Sequence, residues 1–194
     1  MSVKKIGITG GIGSGKSVVS ELLRLRGVPV YNADTASKSL LMTDGALISS
    51  LKALLGEEIY QGGTLDKKRM ASMIFADKEL LERVNALIHP AVIADFERCA
   101  SHQNVPLLAC ESALVFESKM NSMFDAVVMV YAPESVRLRR AVLRDGATEE
   151  QVRARMQNQL SDEEKKNISD YVIVNDDKQA LVPQLQKILA KLTE

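Results

Sequence analysis

Five of the chain's 11 glycines fall between Gly7 and Gly15, and the run ends in a lysine and a serine. The segment Gly10-Gly11-Ile12-Gly13-Ser14-Gly15-Lys16-Ser17 fits G-x-x-x-x-G-K-[ST], and the chemistry of that pattern is the cradling of nucleotide phosphates. Glycines let successive backbone N–H groups turn inward around phosphate oxygens with no Cβ in the way, and a helix N-terminus behind them adds partial positive charge. In that frame Lys16 reaches the β- and γ-phosphates of ATP, and Ser17 ligates the accompanying Mg²⁺. A dinucleotide fold also carries glycines after its first strand and an acid about 20 residues on, a place Asp34 would fill. No G-x-G-x-x-G passes through these glycines, however, and a lysine at the helix mouth belongs to a phosphate clamp.

A phosphate loop serves kinases, switches and motors alike. The guanine-reading N-K-x-D pattern is missing, as is D-x-x-G after a third strand, which disfavours a GTPase. Present instead is an acid after the second apolar run, VPVYNAD, with Asp34 at the C-terminal edge of the expected sheet, where open α/β sheets bind ligands. A carboxylate there accepts the proton of an attacking hydroxyl; the bland alternative makes Asp34 the N-cap of a helix beginning near Thr35. Both readings stay open on the sequence. A second constellation is Arg137, Arg140 and Arg144, spaced i, i+3, i+7 on one helix face that Asp145-Gly146 ends. Arginines on a mobile cover stabilise charge spreading over a transferred phosphoryl group, whereas a solvated basic face is the default for any one of them.

The elements that must position these residues show as alternation. Short apolar runs at 6–9, 28–32, 107–110, 127–131 and 171–174 suit buried strands, and stretches of helical period separate them, so parallel βα units are expected. Helix starts are marked by Asp66, by Thr148 before EEQVRARMQNQL, and by Pro90 and Pro133, which suit first-turn positions. The long segment at roughly 35–103 is helical in pattern and exceeds what a crossover needs, which predicts an inserted helical subdomain. The expectation is one domain over 1–194, a three-layer α/β core with a parallel sheet.

Composition narrows the partners. The chain has 194 residues, 46% of them hydrophobic, enough for one substantial core. Its 25 basic and 25 acidic residues cancel and leave no global field for nucleic acid or an anionic membrane. The longest apolar run, 126–132, is too short to cross a bilayer, and the N-terminus lacks the apolar core of a secretory signal, so a cytoplasmic protein is expected, a monomer or weak homo-oligomer. Cys99 and Cys110 read as inert, reduced thiols.

Taken together the chain resembles the dephospho-CoA kinases. The resemblance runs through IGITGGIGSGKS, VYNAD, GTLDKKRMASMIF, NALIHP, ESALVFES, FDAVVMVYAPESVRLRRAVLRDGATEEQVRARMQNQ and DYVIVN, in the family's order. The loop is common to many kinases; NALIHP and the segment from Arg140 to Gln159 are far more specific. The resemblance implies ATP-dependent phosphorylation of the ribose 3′-hydroxyl of dephospho-CoA on a P-loop kinase core, with a helical acceptor-binding part at roughly 35–103 and a helical lid at roughly 137–166. It makes Asp34 the catalytic acid-base residue. The ATP loop is then Gly11, Ile12, Gly13, Ser14, Gly15, Lys16, Ser17 and Val18, with Lys16 also catalytic. Arg140 and Arg144 become lid arginines, and Asn175 lies near adenine. It places His89, Leu114 and Glu117 on the acceptor side, although His89 before Pro90 also reads as a structural histidine. The chain departs from the family's usual residues at Asn32, Val18, Ala113 and Asp176-Asp177, which bears on the shape of the acceptor and adenine pockets.

Overall fold

The computed structural model describes residues 3–193. In chain order the first elements are β1 (Lys4–Thr9), α1 (Lys16–Arg24), β2 (Val30–Asn32), α2 (Ala33–Thr43), α3 (Gly45–Leu55), β3 (Tyr60–Gln61), β4 (Thr64–Leu65), α4 (Lys67–Ala76) and α5 (Lys78–Ser101). They are followed by β5 (Leu107–Glu111), β6 (Ala126–Tyr131), α6 (Glu134–Asp145), α7 (Glu149–Gln157), α8 (Asp162–Ile168), β7 (Tyr171–Val174) and α9 (Leu181–Thr193). The chain divides into two compact units: residues Ala33–His102, and the remainder of the described chain.

The larger unit is built on a five-stranded sheet in the order β2-β5-β1-β6-β7 with every pairing parallel. Its strands are the five expected apolar runs, within two residues at each end. Strands this apolar need cover on both faces, because a parallel sheet cannot leave one face to water. One face carries Ile6, Ile8, Ala109, Val128, Val130 and Ile173, which pack with Val19 and Leu23 of α1 and with Leu185, Ile188 and Leu192 of α9. The alternate residues Leu108, Cys110, Val127 and Met129 are buried as well. Helices therefore flank a buried parallel sheet, an α/β core.

The second unit holds α2, α3, α4 and α5, as its helical pattern predicts, plus one element the pattern does not show. Tyr60–Gln61 and Thr64–Leu65 pair antiparallel across Gly62 and Gly63, both with positive φ (56° and 79°). A Gly-Gly pair between two short runs is a two-residue hairpin signal that helical periodicity on either side masks. Asp66 caps α4 by accepting from Arg69 N at 2.9 Å, as expected. Pro90 is a correction: it lies in the middle of α5, not in a first turn. The helix runs through because Val84, Val92, Phe96 and Ala100, with half-buried Ile88 between the first two, line one face, while Pro90 and Ala86, whose carbonyl loses its helical donor, face outward. Pro133 likewise stands one place earlier than expected, at the N-cap of α6, where its carbonyl accepts from Val136 N and Arg137 N at 3.0 Å each.

Candidate active site

The glycine loop leaves β1 and enters α1 as the sequence predicts. Gly13 and Gly15 have φ of +78° and +94°, the left-handed region that favours glycine. A Cβ on Gly13 would collide with the backbone of Arg137, and one on Gly15 with the side-chain amide of Asn175. Gly15 is the N-cap of α1 with no side-chain cap, and the first turn contains no acid, so neither a cap nor a first-turn carboxylate offsets the positive end of that helix. Lys16 curls over the loop, its Nζ donating to the carbonyls of Gly10 at 2.8 Å and Gly11 at 3.2 Å. Ser17 and Val18 follow, exposed, on the first turn of α1. Ser14 is fully buried, and its Oγ has no hydrogen-bond partner among the described residues.

Four side chains from distant segments contact the loop: Arg137, Gln159, Asn175 and, at the longer distance of 3.5 Å from its Nη1 to the Gly13 carbonyl, Arg140. Arg137, only 6% exposed, donates from Nη1 to the Ile12 carbonyl at 3.2 Å and from Nε to the Ala132 carbonyl at 3.2 Å, and it is ion-paired with Asp162 at the start of α8. Burial pushes the Asp162 carboxyl above its ordinary range, and the Arg137 guanidinium opposes that rise. Gln159 Oε1 accepts from Ile12 N at 3.2 Å. Asn175 Nδ2 donates to the Ser14 carbonyl at 2.8 Å, while its own backbone N–H is held by the Tyr131 carbonyl at 2.8 Å, so the end of β7 sets its position.

Arg140 and Arg144 part company. Arg140 reaches Asn175 Oδ1 at 3.4 Å and is ion-paired with Asp177, which Arg139 also holds at 2.8 Å. Arg144 turns instead to Asp145, with Nε to Oδ1 at 2.7 Å, on a side chain 64% exposed. Hydrogen bonding from Arg144, and then from Arg155, holds the Asp145 carboxyl down at about 2. The structure thus brings Arg137, Arg140 and Asn175 to the loop and leaves Arg144 at the corner between α6 and α7. That corner is cut by Gly146 (φ 60°) and restarted by Thr148, whose capping box with Gln151 matches the expected helix start.

Glu117 meets the chain's own groups. Its Oε1 accepts from Leu160 N at 2.9 Å and pairs with Lys165 Nζ at 2.8 Å; Lys165 is 0% exposed and also donates to the Ala113 carbonyl at 2.8 Å. Leu114 sits in the same turn, its carbonyl accepting from Ser118 Oγ at 2.6 Å. Asp34 is the second residue of α2, exposed, two positions past the end of β2. The helix begins at Ala33 and not near Thr35, so the N-cap role does not fall to Asp34. His89 is half-buried in α5. Asp34 and His89 belong to the smaller unit, and the loop, the arginines, Glu117 and Asn175 to the larger. Arg137 entered the sequence pattern only as one of three arginines. Gln159, Asp162 and Lys165 carried no local signal for their contacts.

Comparison with known proteins bears on the whole arrangement. The sequence model described as dephospho-CoA kinase matches residues 4–180. The dephospho-CoA kinase of Bacteroides fragilis (strain YCH46) is 46% identical over 189 residues, covering 97% of this chain and 92% of that protein. A crystal structure of a Thermus thermophilus protein superposes with a TM-score of 0.86 at 33% identity, covering 100% of both chains. Dephospho-CoA kinase from Campylobacter jejuni shares the fold, with a TM-score of 0.68 at 22% identity over 97% of this chain and 96% of that one. Among the described residues no helix is long and apolar enough to cross a membrane. A match that runs from the first strand through the turn after β7 takes in the loop, the arginine helix and Asn175 together, and by it the chain belongs to the dephospho-CoA kinase family.

Proposed function

We propose that the protein transfers the γ-phosphoryl group of ATP to the ribose 3′-hydroxyl of dephospho-CoA, giving coenzyme A and ADP, the last step of coenzyme A synthesis. The observation that carries the phosphoryl-transfer part is the loop: two left-handed glycines packed against Arg137 and Asn175, opening an uncapped helix N-terminus with Lys16 folded over it. Family membership supplies the acceptor. The loop amides and Lys16 take the phosphates, Lys16 exchanging the Gly10 and Gly11 carbonyls for phosphate oxygens. Ser17, an exposed hydroxyl at the start of α1, suits a hard cation that keeps most of its other ligands as water and phosphate, and would hold Mg²⁺, which supplies charge neutralisation. Arg140 closes on the phosphates by leaving Asp177, and Asp34 accepts the proton of the 3′-hydroxyl as it attacks. His89 and Leu114 serve the acceptor, while Glu117 acts on that side through its tie to Leu160 and Lys165. The cancelling formal charges favour small-molecule partners over nucleic acid or an anionic membrane, and the reading is of a cytoplasmic enzyme, a monomer or weak homo-oligomer.

The test offers ATP and Mg²⁺ with a panel of dephospho-CoA, AMP, CMP, adenosine and shikimate, follows ADP release, and identifies the product by mass and nuclear magnetic resonance. Dephospho-CoA is expected to give the highest kcat/KM, with phosphate on the ribose 3′-oxygen. An equal or higher value for a nucleoside monophosphate would make the protein a different small-molecule kinase on the same core.

A further inference from the structure

A trans peptide unit carries its C=O and N–H on opposite sides, so a group that holds one loop carbonyl from outside aims the next residue's N–H inward. Two groups around this loop act in that way at normal hydrogen-bond length, while Arg140 Nη1 makes a longer contact, 3.5 Å, to the Gly13 carbonyl, and the next amide, Ser14 N–H, donates to the Gly11 carbonyl. Arg137 Nη1 on the Ile12 carbonyl turns Gly13 N–H to the far side, and Asn175 Nδ2 on the Ser14 carbonyl does the same for Gly15 N–H. Gln159 on Ile12 N–H leaves the Gly11 carbonyl facing the other way, where Lys16 Nζ reaches it. A peptide whose N–H belongs to glycine flips at lower cost than others, since glycine takes φ of either sign. An N–H donor set built on glycines is therefore only as well aimed as the groups that hold its carbonyls.

Arg137 is the clamp with a charge to settle. Each arm of its guanidinium is committed: Nε to Ala132, Nη1 to Ile12 and Nη2 to Asp162. All three nitrogens are engaged by the chain's own carbonyls and carboxylate, which gives the side chain a holding role on the loop. A buried guanidinium needs a carboxylate close by, and this one comes from the first turn of α8, in the helical segment that follows α6. We propose that Arg137, held by Asp162, is a positioning residue for phosphoryl transfer: it fixes the Ile12–Gly13 peptide with Gly13 N–H toward the nucleotide phosphates and makes that aim depend on the seating of α8. The proposal rests on the phosphate-loop reading given above, and it does not depend on which acceptor the enzyme uses.

The experiment compares wild type with Arg137→Met, Arg137→Lys and Asp162→Asn. Binding of ATP and of inorganic tripolyphosphate is measured by calorimetry without acceptor, the Gly13 amide is followed in ¹⁵N spectra, and KM for dephospho-CoA and Tm are recorded. Arg137→Met is expected to weaken ATP and tripolyphosphate alike by about 10- to 100-fold, by analogy with the loss when a group that orients a metal ligand is removed. The Gly13 amide should shift in the free protein, with KM for dephospho-CoA staying within about twofold. Lysine keeps the charge but not the fork that serves Ile12 and Asp162 together, so Arg137→Lys is expected to fall between Met and wild type. Should Arg137→Met not fold, Arg137→Lys and Asp162→Asn carry the same readings. A folded variant with a lowered Tm, wild-type affinity for both phosphate compounds and an unmoved Gly13 amide would overturn the proposal and leave the pair as glue between helices. Because tripolyphosphate binding is read without acceptor, failure here is separable from failure of the acceptor panel.

Discussion

Asp34 lies inside α2, exposed in its first turn, so its loss removes no cap. What remains for stability is the attraction of a carboxylate to the helix N-terminus, about 0.3–1 kcal/mol at an exposed site. Asn has nearly the same shape and cannot take a proton. Asp34→Asn is accordingly expected to leave the Tm and ATP affinity close to wild type while kcat falls by roughly 10²- to 10⁴-fold, the usual worth of a general base. Steady-state kinetics beside a thermal melt decide it: normal turnover in a folded Asp34→Asn protein removes Asp34 from the chemistry. Such a separation is open to few residues of the site. At Gly13 or Gly15 a substitution changes backbone conformation, packing and phosphate contact at once.

Between elements, two charge clusters besides the Arg137–Asp162 pair hold the segment from α6 to α8, one of them to the turn after β5. Lys165 on α8 is fully buried against Glu117 and the Ala113 carbonyl, and Glu117 also holds Leu160 N, so the approach to α8 hangs on one carboxylate. Removing one partner strands the other's charge, which typically costs about 3–5 kcal/mol, whereas removing both often costs little. Glu117→Gln and Lys165→Met are each expected to lower unfolding free energy by about 3 kcal/mol, and the double variant to recover most of that loss. Urea melts of the four proteins give the coupling, and strictly additive losses would contradict it. The other cluster is the corner after α6, where Arg144 and Arg155 share Asp145. The Asp145 carboxyl is held at about 2 in the folded chain, against an unfolded value of about 3.9. A depressed carboxyl adds stability that is fully present above the unfolded value and is lost as pH falls through the folded one. The stability difference between wild type and Asp145→Asn should therefore shrink between about pH 4 and pH 2. A difference that stays constant over that window would mean the carboxylate is not held by its arginines.

Over the whole molecule, the phosphate loop and every side chain seen to hold it belong to the unit formed by 3–32 and 103–193, and residues 33–102 form the other. ATP alone is expected to slow amide exchange in the loop and in α6, α7 and α8, and dephospho-CoA to add protection within 33–102. Exchange by mass spectrometry checks this, and protection by ATP confined to 33–102 would refute it. The division follows how information sits in the chain. The phosphate loop, the strands and the caps at Asp66 and Thr148 could be read from the sequence, because each depends on residues within a few positions: glycine spacing, apolar runs, a side chain and the amide three places on. The hairpin at Gly62-Gly63 was just as local but was masked by the helical periods on either side. Pro90 was misplaced because Asp77 caps the start of α5, its side chain accepting from Leu80 N at 3.0 Å, and buried contacts carry the helix on through the proline. What only the tertiary structure decided are the partners far apart in sequence: Ile12 with Arg137 and Gln159, Ser14 with Asn175, Lys165 with Glu117 and Ala113. Helical spacing put Arg137, Arg140 and Arg144 on one face. That Arg137 and Arg140 reach the loop, Arg140 pairing with Asp177 as well, while Arg144 turns to Asp145 was set by the segments packed beside α6, and those are brought there by the pairing of strands that the chain between them does not specify.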